Sequence, residues 1–212
     1  MLRIYLVRHG ETEWNIQGRY QGQVDTDLST RGKEQGQLVG KALANIRPDY
    51  VLASPLKRAK ETAAYCAAHH QVEVETDERL TEIAHGTWEG RYSHEIAETD
   101  GELLTAWQRE PHTVTMPDGE SLADVLARVR AAFDDYAQKY DGKTIFVVAH
   151  DAVNKVIIAD LMGMDLSRFW QIKQDNTCIN VLEHEDGVWR LVTLNNVSHL
   201  GTLLSGIEQK GL

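Results

Sequence analysis

The run Thr144-Ile145-Phe146-Val147-Val148-Ala149 constrains this chain more than any other stretch. It is uncharged and rich in β-branched and aromatic residues, which reads as a buried strand. It stops abruptly at His150-Asp151. Two earlier runs behave alike. The apolar stretch from Leu2 to Val7 ends at Arg8-His9-Gly10, and Tyr50-Val51-Leu52-Ala53 ends at Ser54-Pro55-Leu56-Lys57-Arg58. Buried strands that deliver polar groups at one end are aiming those groups at a site.

Helical patterns separate the strands. Leu38, Ala42 and Ile46 lie near helical spacing in a helix expected over about 31–45. Leu56, Ala59, Ala63 and Cys66 form a second stripe, with Ser54 as the expected N-cap and Pro55 at the first helical position. Lys57 and Arg58 in that first turn oppose the helix dipole, which suggests an anion at this end. Ser121 to Asp124 reads as a capping box ahead of a strongly amphipathic helix through Leu122, Val125, Leu126, Val129, Phe133 and Tyr136. A further helix spans Val153 to Leu161, a short strand is expected at Val72 to Glu75, and Asp186-Gly187 marks a hairpin between two strands in the tail from Thr177 to Asn195.

Strands alternating with helices predict an α/β fold, a doubly wound and mostly parallel central sheet flanked by helices. Right-handed crossovers would bring the ends of strands 2–7, 50–53 and 144–149 to one edge, outside which ligands bind in such sheets. Arg8, His9, Arg58 and His150 should converge there. The region 77–120 shows no sustained period and is expected to be a loop-rich lid or substrate segment within a single domain spanning 1–212.

The net charge of -10 argues against nucleic acid or anionic membrane as a partner, and no apolar run is long enough to cross a bilayer. The N-terminus reads as a mature first strand with no leader. Cys66 and Cys178 stand in no ligand motif. They are expected to be free thiols, which fits a reducing, cytoplasmic setting. An acidic chain that gathers Arg and His at strand ends is building a local anion site.

Two guanidiniums and two imidazoles suit a phosphate dianion, since Arg grips phosphate oxygens bidentately. A neutral imidazole can attack phosphorus, and a carboxylic acid such as Glu82 can protonate the leaving alkoxide.

Arg8-His9-Gly10-Glu11-Thr12 followed by Asn15, then Ser54-Pro55-Leu56-Lys57-Arg58-Ala59, Glu82 and Ala149-His150 together resemble the histidine phosphatase superfamily, the phosphoglycerate mutase-like fold. The order and spacing hold along essentially the whole chain. The resemblance implies that His9 is the nucleophile and Glu82 the proton donor. It implies that Arg8, Arg58 and His150 form the rest of the phosphate pocket, with Asn15 as a further contact. It implies no metal and no cofactor, and no cluster stands at ligand spacing. Many members follow the second His with Gly-Gly, whereas this chain has Asp151-Ala152. An inward carboxylate there would repel phosphate, so Asp151 is expected to point away and cap the following helix.

Three readings compete: a phosphatase, a cofactor-dependent phosphoglycerate mutase, and a non-catalytic module that binds a phosphorylated ligand. Mutases of the family carry a longer insertion with Glu-Arg-His-Tyr where this chain has Glu82-Ile83-Ala84-His85. That favours a phosphatase. The segments Glu82–Trp88, Glu110–His112, Gly119–Leu122, Asp165–Trp170 and His199–Gly201 resemble the metal-independent phosphoserine phosphatases. The expected substrate is a small phosphorylated metabolite, with phosphoserine leading and His85 close to the leaving group. Self-association into a homodimer is left open.

Overall fold

The central strands are apolar at odd and even positions alike, so helices must cover the sheet on both faces. The computed structural model of the chain, which describes residues 1–201, has this architecture. Residues 202–212, the end of the expected 1–212 unit, lie outside the described residues. In chain order the regular elements are β1 (Leu2–Arg8), α1 (Glu13–Gln17), α2 (Thr30–Leu43), β2 (Tyr50–Ala53), α3 (Lys57–Ala67), β3 (Val74–Thr76), α4 (Ser93–Arg109), α5 (Leu122–Lys139), β4 (Thr144–Ala149), α6 (Asp151–Leu161), β5 (Ile179–Glu185) and β6 (Val188–Asn196).

The sheet order is β3-β2-β4-β1-β5-β6. β1, β2, β3 and β4 are mutually parallel, and β5 and β6 add antiparallel strands on one side. The mostly parallel α/β sheet expected from the strand and helix patterns is therefore present. Leu2, Ile4, Leu6, Ile145, Val147 and Leu52 face one core, shared with Val125, Val129 and Phe133 of α5 and Val153, Val156 and Ile157 of α6. Val7, Val51, Ala53, Phe146 and Val148 face the other, shared with Val39 of α2 and Ala59, Ala63 and Cys66 of α3. Each strand thus feeds two cores through its alternating side chains.

Register brings three strand ends together. Arg8 pairs with Ala149 and Ala53 with Val148. The His9 N–H donates to Ala149 O at 3.0 Å, and the Ser54 N–H donates to Val148 O at 3.0 Å. His9, Ser54 and His150 therefore leave the sheet side by side. The turn after His9 lies directly on the start of α2, where a Cβ on Gly32 would overlap the Glu11 carbonyl.

Several expectations need correction. Within the segment expected to be loop-rich, Ser93–Arg109 forms α4. Asp100 breaks it with non-helical backbone, and Ile96, Leu104 and Trp107 are its buried residues. With only three of its 17 residues buried, the apolar stripe is too sparse to stand out in the sequence. Ser54 does not cap α3. The helix starts later, with Leu56 at the N-cap and no side-chain cap. The protein supplies its own anion at that end, because the Lys57 N–H donates to Asp25 Oδ1 at 2.6 Å. The third strand is displaced to Val74–Thr76. The hairpin at Asp186-Gly187 is as expected, with both residues at positive φ, the type I′ geometry.

Candidate active site

His9 sits where β1 gives way to a turn. It is almost fully buried, and its Nδ1 lies 2.7 Å from the Gly10 carbonyl. A carbonyl can only accept, so Nδ1 carries the proton and the neutral ring leaves the Nε2 lone pair unprotonated. Burial, then Arg58 and Arg8, hold the His9 pKa well below the ordinary imidazole value. The ring is therefore neutral at physiological pH, the state a nucleophilic imidazole needs.

His150 follows β4 with its ring centroid 5.2 Å from that of His9. Its Nε2 lies 2.7 Å from Ser54 Oγ, and its buried Nδ1 has no hydrogen-bond partner. A Ser54 hydroxyl that donates to Nε2 leaves Nδ1–H as an unspent donor. Burial first, then Arg58 and His9, keep this ring neutral too. Ser54 is a contribution that residue type and spacing pointed elsewhere.

The two arginines come from β1 and α3. Arg8 Nη1 donates to the Gln174 carbonyl at 2.6 Å and lies 3.6 Å from Asp151 Oδ1. Arg58 is buried, and its Nη1 and Nη2 donate to Val24 O at 2.8 Å and Gly22 O at 2.7 Å. Its Nε has no partner. Asn15 closes a capping box with Thr12: its Oδ1 accepts from the Thr12 N–H at 3.1 Å, while its buried Nδ2 is unpartnered. Buried donors without partners are rare and costly. Arg58 Nε, Asn15 Nδ2 and His150 Nδ1 form a set of donors suited to an anion.

Glu82 is the buried carboxyl of the site. Its Oε1 accepts from the Ile83 N–H at 2.9 Å and its Oε2 from the Ala152 N–H at 3.4 Å. Burial foremost, then the charge of Asp151, raise its pKa above the ordinary carboxyl value, against the weaker pull of Arg58 and Arg8. His85 lies three residues on, packed edge-on against Tyr20 at 5.0 Å and Trp107 at 6.0 Å between centroids. Its Nδ1 is buried without a partner, and burial pushes its pKa down to about 3. The neighbouring Gly86 takes φ +56° and packs so closely on the 117–119 turn that a Cβ would overlap the Pro117 carbonyl.

Asp151 departs from expectation. It does not point away or cap α6. The N-cap is His150, with no side-chain cap, and Asp151 is buried as the first residue of the helix. Its Oδ2 lies 2.7 Å from Lys155 Nζ one turn along, and its Oδ1 turns to Arg8. A buried carboxylate needs such partners. A second feature was invisible in the spacing. Asn176 Nδ2 donates to the His9 carbonyl at 3.1 Å, and Asn180 Nδ2 donates to Leu6 O and to Gln174 Oε1. These amides fix the backbone that carries Arg8 and His9. The polar run Gln174-Asp175-Asn176-Thr177 just before a buried strand was the available signal. His199 reaches Thr177 Oγ1 at 3.3 Å, a structural contact of the closing loop.

A parallel-sheet edge that brings together a neutral imidazole, two arginines and a buried carboxyl with a raised pKa has the groups that phosphoryl transfer uses. The signature described as histidine phosphatase superfamily (branch 1) matches residues 4–197, and the chain belongs to this family. It is a phosphoric monoester hydrolase by class. It is 39% identical to phosphoserine phosphatase 1 of Hydrogenobacter thermophilus, over 95% of both chains. It is 31% identical to the adenosylcobalamin/alpha-ribazole phosphatase of Escherichia coli, over 92% of this chain and 96% of that one. Among solved structures it is similar to YhfR of Bacillus stearothermophilus, with TM-score 0.91 and 29% identity over 94% of this chain and 100% of that one.

Proposed function

We propose that this enzyme hydrolyses a small phosphomonoester, phosphoserine first among candidates, through a phosphohistidine on His9. The observation that carries the reading is the tautomer: Nδ1–H is tied to the Gly10 carbonyl, so the neutral ring offers Nε2 between two arginines. In the first step Nε2 attacks phosphorus and the P–O bond to the alcohol breaks. Glu82 gives its proton to the departing oxygen. In the second step the Glu82 carboxylate takes a proton from water, the water oxygen attacks phosphorus, and the N–P bond breaks to release phosphate and restore the imidazole. Arg8, Arg58, Asn15 and His150 hold the non-bridging oxygens. Charge stabilisation and positioning then supply most of the rate.

His85 is the residue we assign to the leaving group. It is neutral, so it offers a hydrogen bond and no charge, and its Nδ1 is, like the Tyr20 hydroxyl beside it, a buried polar atom without a hydrogen-bond partner. The similarity to a phosphoserine phosphatase supports a small polar substrate that bears a carboxylate. The buried free thiols of Cys66 and Cys178 support a cytoplasmic setting.

The experiment is phosphate release across a panel of phosphomonoesters, with and without exhaustive chelation. Turnover should survive the chelator. Phosphoserine should be favoured over a generic aryl phosphate in kcat/KM, and His85→Ala should erode that ratio. Release without isomerisation of 3-phosphoglycerate excludes a mutase. Recovery of lost activity by Mg²⁺, or a ratio unmoved by His85→Ala, would refute the corresponding part.

A further inference from the structure

Lys155 and Asp151 form the most deeply buried ion pair of the described residues outside the roles assigned so far, and both are nearly out of solvent. The Lys155 ammonium also lies 4.8 Å from the centroid of Phe169 and 4.7 Å from that of Trp170. Trp170 is itself anchored by its Nε1–H to the Trp107 carbonyl at 2.8 Å. Lys155 thus has one carboxylate and two aromatic faces in place of water. Such a buried pair contributes little net stability compared with apolar residues of the same size, so its retention calls for another account.

That account lies on the other side of Asp151. Its Oδ1 faces Arg8 Nη1 at 3.6 Å, the same nitrogen that donates to Gln174 O. The residue after it, Ala152, donates its N–H toward Glu82 Oε2. The carboxylate therefore stands against the phosphate-gripping guanidinium, and the backbone next to it meets the proton donor. The charges sum to one positive over Arg8, Asp151 and Lys155, so the carboxylate can steer Arg8 without cancelling the charge an anionic substrate needs. Without Lys155 the sum would be zero.

We propose that Asp151, with Lys155 as its countercharge, is a positioning residue that fixes the Nη1 end of Arg8 and presents a negative charge to Glu82. The inference rests on Glu82 being the proton donor. The charged groups that act on the Glu82 carboxyl are Asp151 of α6, Arg58 of α3 and Arg8 of β1, and Arg128 of α5 donates to its backbone carbonyl at 3.2 Å. Asp151 is the one named among them that favours the protonated acid. Aromatic packing of Lys155 also gives Phe169 and Trp170 a reason to sit beside the site.

The test is a carboxyl titration of Glu82 in the full chain by carbon NMR, assigned with Glu82→Gln, alongside the pH profile of kcat/KM for an aryl phosphate. Asp151→Asn should lower the Glu82 midpoint by about one pH unit, the effect of losing a like charge nearby. Lys155→Met should raise it, because Asp151 is then uncompensated, and Lys155→Arg should restore it. The alkaline limb of the rate profile should follow in the same directions. Midpoints that stay put, or move the same way in both variants, overturn the proposal. If Asp151→Asn does not fold, a Lys155→Met midpoint that is unchanged or lowered overturns it alone. Absence of turnover in the unmodified enzyme would defeat the phosphatase reading and leave the titration to judge this one.

Discussion

Replacing Glu82 by Gln isolates the proton from every other property of the side chain. The amide keeps the shape, and its oxygen can still accept from the Ile83 N–H now bonded at 2.9 Å. Its NH₂ would then face the Ala152 N–H, but that contact is long at 3.4 Å and little is lost. What disappears is the acid. Positioned proton transfer contributes roughly 10²- to 10⁴-fold, about 3–5 kcal/mol of barrier, so an alkyl phosphate should slow by that much. An aryl phosphate with an acidic phenol needs no proton to leave, and should slow by less than about tenfold. Stability provides the control. Burial raises the Glu82 pKa in the folded state. The stabilisation linked to its neutral form is complete below the unfolded carboxyl pKa and is lost as pH rises through the folded value. Glu82→Gln escapes that loss, so its Tm should match the unmodified protein near pH 4 and exceed it at pH 8. The assay is kcat for the two esters, with Tm across that range. Equal slowing of both esters, or a variant less stable at pH 8, would refute the proton-donor argument.

His9→Ala should leave less than about a hundredth of turnover, since loss of a nucleophile usually costs more than that, and no phosphorylated protein should form on rapid quench; residual turnover above that level would remove His9 from its role. His9, His150 and His85 are all held neutral by burial, with pKa values below the ordinary 6.5. Depressed values of this kind give stability that is present above the unfolded pKa and lost as pH falls toward the folded one. Each group should therefore lower the unfolding free energy by about 1.4 kcal/mol per pH unit below 6.5. Denaturant midpoints measured from pH 7.5 to 5 should fall, and a flat profile would contradict the buried neutral state.

Much of the fold was legible because its signals are local. Thr144–Ala149 and Leu2–Val7 are apolar at both parities, which commits them to the middle of a sheet whatever their neighbours are. The abrupt change to Arg8-His9 and His150 then marks the ends of those strands, and parallel register carries the ends to one edge. The α5 helix was equally plain, since its capping box and its apolar stripe lie within a single stretch. Helix α4 was not, because Asp100 interrupts it and only Ile96, Leu104 and Trp107 of its 17 residues are buried.

Residue type and order alone predicted that Arg8, His9, Arg58 and His150 would gather at one sheet edge, because each stands at the end of a strand or the start of a helix whose direction local patterning decides; Glu82 stands at neither. Only the tertiary structure decided what those groups face. Ser54 turned from a helix cap into the partner of His150, 96 residues away. Asp151 turned inward, since Lys155 one turn along and Arg8 from β1 together supply the charge that burial demands. The groups that hold Arg8 and His9 are the Gln174 carbonyl and the Asn176 amide, 166 and 167 residues later in the chain. Hydrogen bonds and ion pairs at that separation leave no period in the chain, and their geometry exists only once β1, β4, β5 and α6 have packed.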